Sequence, residues 1–364
     1  MDRTLCSPRS MSTFTMLATI ATVGLSAALA RSVDAQVRTA ALTSQAGSSW
    51  EAPRTAFGHP DIQGNWTNAT LTPFVRPAGW GPTLTAAEVR EIEEGQADLV
   101  ARAAEPSDPD RLPPEAGGTN PICIDSPTSC YNEVYREPGT RVAIVNGEPR
   151  SSLLTVPADG RVPALTPEGR ARLDAWRARN DGFEEFDHPE LRPLAERCIV
   201  SFGSSAGPPM LPNYWYNNNY TIVQTPDHVM IMAEMVHDVR IIRLGEPKPL
   251  SEDVRPYFGD SWGHWDGNTL VVETTNINPA QAFRGIPSSP EGKVIERFTR
   301  VSETEVLYEF TIDDPGTYIE AWGGEIPFNR FEDNLYEYAC HEGNYALEGV
   351  LRGARYQERE GNRN

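Results

Sequence analysis

The chain has 364 residues, with 51 Asp and Glu against 32 Lys and Arg, and carries a formal net charge of −19. Such an acidic balance lacks the basic face that phosphate neutralisation needs, which excludes a nucleic-acid binder and works against adhesion to anionic membranes. Hydrophobic residues at 39%, together with 29 Gly and 31 Pro, exclude a disordered chain and a membrane bundle and leave a loop-rich globular protein of one large or two small domains.

Arg3 and Arg9 precede an apolar run from Met16 to Ala30, and small residues follow at Val33-Asp-Ala35. A basic start, an apolar middle and a small-residue cleavage site form the pattern of a secretory signal peptide. The run is too short and too rich in Ala, Thr and Ser for a spanning helix, so no stable membrane insertion is expected. Cleavage after Ala30 or Ala35 fits, and loss of residues 1–35 removes three Arg and two Asp, taking the net charge to −20. The mature chain is expected in the periplasm or outside the cell.

Residues 36–52 read as a disordered leader. From there to residue 198 the text is loop-rich and carries two helix starts. Thr85-Ala-Ala-Glu88 is a capping box ahead of Val89, Ile92 and Leu99, and Thr166-Pro167-Glu168 supplies an N-cap with Pro in the first turn. Between them, residues 105–130 are dominated by Pro, Gly, Asp and Ser and read as loop.

From about residue 199 the apolar residues recur at period two, the signature of strands. Candidates are residues 220–225, 228–235, 239–244, 263–265, 268–274, 293–301, 305–312, 325–329 and 335–340. Asp266-Gly267 marks a tight hairpin and Ser302-Glu-Thr304 a second one. A meander of this length is expected to close as an antiparallel β-barrel or to fold as a sandwich, lipocalin-like, over residues 199–355, with residues 356–364 as a disordered tail.

Without Cys6 the chain keeps Cys123, Cys130, Cys198 and Cys340. In an oxidising compartment an even count reads as two disulfides, Cys123 with Cys130 by proximity and Cys198 with Cys340 by remainder. A metal site is the alternative, but no Cys-x-x-Cys pair is present and the six His do not cluster at ligand spacing. The metal question stays open, and no organic cofactor is evident, since neither a dinucleotide nor a phosphate-loop fingerprint occurs.

His237-Asp238-x-Arg240 is the constellation best suited to chemistry: the imidazole as acid or base, the carboxylate fixing its tautomer, the guanidinium holding an anion. The bland alternative is a hairpin turn with an exposed ion pair. Glu296, Tyr308 and Asp313-Asp314 lie on or beside the second hairpin. Asn217-Asn-Asn219 stands among Tyr214, Trp215, Tyr216 and Tyr220, where ring faces and amides suit a small organic ligand or a barrel rim equally. Gly203-Ser-Ser-Ala-Gly207 matches a serine-hydrolase elbow in letters, but Pro208-Pro209 forbids the helix that the elbow needs. Cys340-His341-Glu342 has no second His four residues on, so it is not a zinc-protease helix.

Strings such as Pro60-Asp-Ile-Gln-Gly-Asn-Trp66, Glu234-Met-Val-His-Asp238 and Tyr336-Glu-Tyr-Ala-Cys-His-Glu-Gly-Asn-Tyr345 resemble a widespread family of functionally uncharacterised exported bacterial proteins. The resemblance spans nearly the whole mature chain and carries no mechanism with it. It implies importance for Cys198, Cys340, His237, Asp238 and the His341-Glu342 pair, and does not extend to Ser204 or Ser205. Tyr131, Glu133 and Arg150 also fall in its strings, and polar motif residues on loops serve function more often than packing.

The expectation is a mainly β exported protein with a small-molecule pocket. As an enzyme, a hydrolase, lyase or isomerase, it would use His237, Asp238, Arg240, His341 and Glu342, with Tyr131, Glu133, Arg150, Asn218 and Tyr308 on the substrate. The alternative is a lipocalin-like binding protein without chemistry. The partner in either case is a small molecule; oligomeric state is not legible.

Overall fold

The computed structural model describes residues 50–103, 137–201, 206–213, 216–281 and 285–361, with the side chains of Ala103 and His237 excepted. The expected signal peptide and leader, Cys123, Cys130, Tyr131 and Glu133 lie outside the described residues.

In chain order the elements are β1 (Gly64–Thr67), α1 (Ala86–Ala103), β2 (Ile144–Val145), β3 (Glu148–Pro149), β4 (Leu154–Val156), α2 (Pro167–Ala178), β5 (Asn219–Gln224), β6 (His228–Ala233), β7 (Val239–Leu244), β8 (Asp260–Asp266), β9 (Thr269–Thr275), β10 (Lys293–Arg300), β11 (Glu305–Asp313), β12 (Trp322–Arg330) and α3 (Tyr345–Gly361). Alternation along the strands sorts side chains onto two faces: on β10, Val294, Glu296, Phe298 and Arg300 are buried, while Lys293, Ile295, Arg297 and Thr299 face outward. The sheet runs β1-β5-β6-β7-β8-β9-β10-β11-β12, and pairing of β1 with β12 closes it into a nine-stranded barrel, with β4 added on β12. The barrel therefore replaces the sandwich alternative.

Three features depart from the sequence reading. The barrel is mixed, because the fifteen-residue link between β7 and β8 is long enough to cross over and bring β8 in parallel, Arg243 opposite Trp262. Residues 335–340, expected as a strand, form none: both sides of β12 are already occupied, and a closed barrel offers no free edge. Residues 345–361, assigned above to the barrel's end and a tail, form α3 instead. Asn344 Oδ1 accepts the Leu347 N–H at 3.4 Å and Glu348 pairs with Arg352 one turn on. The closing strand β1 comes from the N-terminal half, where its four residues are too few for a period to register.

Both expected helix starts are present. Thr85 and Glu88 bond each other's backbone N–H, Glu88 Oε2 at 2.7 Å and Thr85 Oγ1 at 3.3 Å. Thr166 Oγ1 caps α2 at the Gly169 N–H, 2.9 Å away. Gly169 is where α2 touches the barrel; a Cβ there would stand 2.4 Å from the Thr317 carbonyl oxygen, so only Gly allows the approach.

The core is the barrel's interior. Trp66, Tyr220, Phe298, Tyr308, Trp322 and Phe328 are fully buried there, with Tyr220 stacked on Phe328 and Tyr308 at 5.0 Å from both Phe298 and Phe328. Side chains thus fill the lumen where a lipocalin-like cup would hold its ligand.

Candidate functional site at the barrel mouth

Register places the starts of β5, β7, β8, β10 and β12 and the ends of β6, β9 and β11 at one end of the barrel. Residues 206–213 run into this end. Ala206 and Met210 are fully buried, and Gly207, at φ +88°, lies so close to the Arg240 guanidinium that a Cβ would stand 2.7 Å from it. A plug of this kind needs its backbone polar groups satisfied inside an apolar interior. Tyr308 Oη accepts the Met210 N–H at 2.9 Å and donates to Glu296 Oε1 at 2.8 Å. Arg240 donates to both oxygens of Glu296, at 3.2 and 2.6 Å. With side chains only 2% and 0% exposed, the two charges neutralise each other out of water. Burial first, then the Glu296 charge, pushes the Tyr308 phenol well above its ordinary range. This triad holds the plug, and the Arg240 charge is spent on Glu296.

A polar ring surrounds the plug. Asp238 Oδ2 accepts the Ser201 N–H at 3.2 Å, Asn217 donates to Ser201 Oγ at 3.0 Å, and Asn217 Oδ1 accepts the Met235 N–H at 2.7 Å. These bonds frame the 3-10 turn Met235–His237, in which Val236 is buried in the left-handed region at φ 61° and ψ 10°. A β-branched residue there is strained, and the turn around it is over-determined. Asn218 bonds Asn213 at both ends of its amide and also donates to the Glu137 carbonyl oxygen. Asn219 donates to the carboxylates of Glu137 and Glu234, at 2.7 and 3.2 Å. Burial, opposed by the Asn219 bond and reinforced by the Glu234 charge, raises the Glu137 carboxyl above its usual range.

The fold thus gathers Asp238, Arg240, Asn218 and Tyr308 at one end of the barrel, and the backbone of His237 with them. It does not bring Arg150 there: its guanidinium pairs with Glu148 at 2.7 Å and Glu325 at 2.6 Å on the outer wall. His341 and Glu342 are exposed in the turn after Cys340. Cys198 and Cys340 are bridged, with Cα atoms 5.8 Å apart, and Asn344 donates to the Glu196 carbonyl beside them.

Sequence reasoning passed over the cleft beside the plug. Its walls combine Pro208, Ile277, Ile286 and Ile312 with the polar Gln281, Ser288, Lys293 and Thr317. One wall is the turn after β11, in which the Asp314 carbonyl accepts the N–H groups of Thr317 and Tyr318, each at 2.9 Å. α2 holds this turn from behind through Arg172, bonded to the Gly316 carbonyl at 2.8 Å and to Thr317 Oγ1 at 3.0 Å. Asp314, 3% exposed, faces the cleft. Its Oδ2 accepts the Ser289 N–H at 2.9 Å, while Oδ1 and the buried Ser289 Oγ have no hydrogen-bond partner among the described residues. Burial first, then the Asp314 charge, raises the Tyr318 phenol. The Asp313-Asp314 pair is visible in the sequence, but a turn after a strand is where two Asp occur for purely local reasons.

Among the described residues no three His, Cys, Asp or Glu side chains stand together as a metal site, and no helix is long and apolar enough to cross a membrane. No protein-family model, curated protein or solved structure matches the chain.

Proposed function

We propose that the chain is an exported small-molecule-binding protein whose ligand enters the cleft at the barrel mouth. The observation that carries this reading is the cleft itself: mixed apolar and polar walls at the barrel rim, with one buried carboxylate whose Oδ1 has no hydrogen-bond partner among the described residues. The filled lumen favours the mouth over the interior. Export is supported by the basic-apolar-small segment before Ala35 and by the Cys198–Cys340 bridge, a bond that persists in oxidising compartments. A fragment screen on the mature, oxidised protein tests the reading. Ile286→Trp, which fills a half-buried wall of the cleft, is expected to abolish the hits without lowering the melting temperature. Hits that survive this change would place the ligand elsewhere.

A catalytic reading, as hydrolase, lyase or isomerase with His237 as acid or base and Asp238 beside it, has one observation in its favour, the strained Val236 that leads the chain into His237. It requires turnover that His237→Ala removes while stability holds.

A further inference from the structure

We infer that the cleft takes a small primary amine in its protonated form, with the ammonium seated on Asp314 and the apolar body against Ile277, Ile286 and Ile312. This rests on the reading of the cleft as the ligand site and adds the chemical class. One cleft-lining residue carries a buried oxygen with no hydrogen-bond partner among the described residues: Asp314 Oδ1, on a residue 3% exposed. A carboxylate that far from water is costly unless a donor or cation meets it. An ammonium brings three N–H donors and a positive charge, and no acceptor that the site would have to satisfy.

The backbone packs closely around Asp314 and Ser289. A Cβ at Gly292 would stand 2.8 Å from the Asp314 carboxyl, and one at Gly316 would stand 2.8 Å from the Ser289 Cβ. The surrounding charge has the same sign preference. Lys293, the cation among the lining residues, is held by Glu273 at 3.1 Å and lies 4.0 Å from Asp313, so it does not neutralise Asp314. The chain as a whole has a net charge of −19, which favours the approach of cations over carboxylates.

Titration with cyclohexylamine, cyclohexanol and cyclohexanecarboxylate, read at the methyl resonances of Ile277, Ile286 and Ile312, tests the assignment. Three ligands share one ring and differ only in the polar group. The amine is expected to bind at least about tenfold more tightly than the alcohol, and the carboxylate not to shift these resonances. Asp314→Asn is expected to remove that advantage and leave alcohol binding unchanged; should this variant fail to fold, the three-ligand comparison on the unaltered protein decides. Equal binding of amine and alcohol would overturn the amine assignment and leave the cleft as the ligand site. Shifts at none of the three isoleucines with any ligand would overturn both.

Discussion

Arg240, Glu296 and Tyr308 show how a single ionic contact sets the architecture of the mouth, since the plug's Met210 N–H is satisfied by Tyr308, and Tyr308 by Glu296. Glu296→Gln leaves the buried guanidinium without its counter-charge and is expected to lower stability to urea by about 3–5 kcal/mol. The Arg240→Met/Glu296→Leu pair should recover most of that loss, because it removes both charges together; a double variant as unstable as the single one would contradict the ion-pair account. Tyr308 and Tyr318 both have raised phenol pKa values in the folded state, whereas an unfolded tyrosine titrates near about 10. The unfolded chain therefore loses protons first, so their contribution to stability is whole below about pH 10 and falls as pH rises beyond it. Absorbance at 295 nm should show these two phenols ionising only as the circular dichroism signal collapses; ionisation near pH 10 in the folded protein would refute the burial argument. Asp238 and Arg240 are legible as special because charges at strand ends are conspicuous in an alternating pattern. Asp314 is not, since what distinguishes it is one buried carboxyl oxygen, Oδ1, without a hydrogen-bond partner among the described residues, and no spacing encodes that.

At the scale of elements, local chemistry was legible and long-range pairing was not. The caps at Thr85 and Thr166 act within three residues of themselves, and α1 and α2 begin where those letters stand. Period two marked β5 to β12 for the same reason. The parallel entry of β8 and the insertion of β1 between β5 and β12 depend on partners far away in the chain, and neither leaves a local trace. α3 escaped for a different reason: Leu347, Val350, Leu351 and Ala354 recur at helical spacing, but none of its residues is buried, so the stripe does not mark a core helix. The Cys198–Cys340 bridge spans 142 residues and ties the segment before the plug to the segment before α3. Cys198→Ser/Cys340→Ser is expected to cost about 2–5 kcal/mol, by releasing that loop in the unfolded chain. An unchanged urea midpoint after reduction would show that the bridge does not restrain unfolding.

For the molecule as a whole, composition argued against nucleic acid, and the strand pattern announced a β-barrel or a sandwich with a usable end. The remaining step, from an end to a site, came from the structure, because a filled lumen and an open cleft arise from the same alternating text. A ligand in the lumen would have to displace the plug and break the Arg240–Glu296 pair; a ligand at the mouth disturbs neither. Isoleucine methyl resonances distinguish these, since Ile277, Ile286 and Ile312 line the cleft, while Ile222, Ile231 and Ile242 are buried in the core away from it. The most direct measurement is a methyl-resolved titration of the mature protein with a library of small apolar amines. Shifts confined to Ile277, Ile286 and Ile312 are the predicted result. Shifts centred on Ile222, Ile231 and Ile242, with the cleft silent, would mean that the barrel opens to hold its ligand inside and would contradict the placement of the site at the mouth.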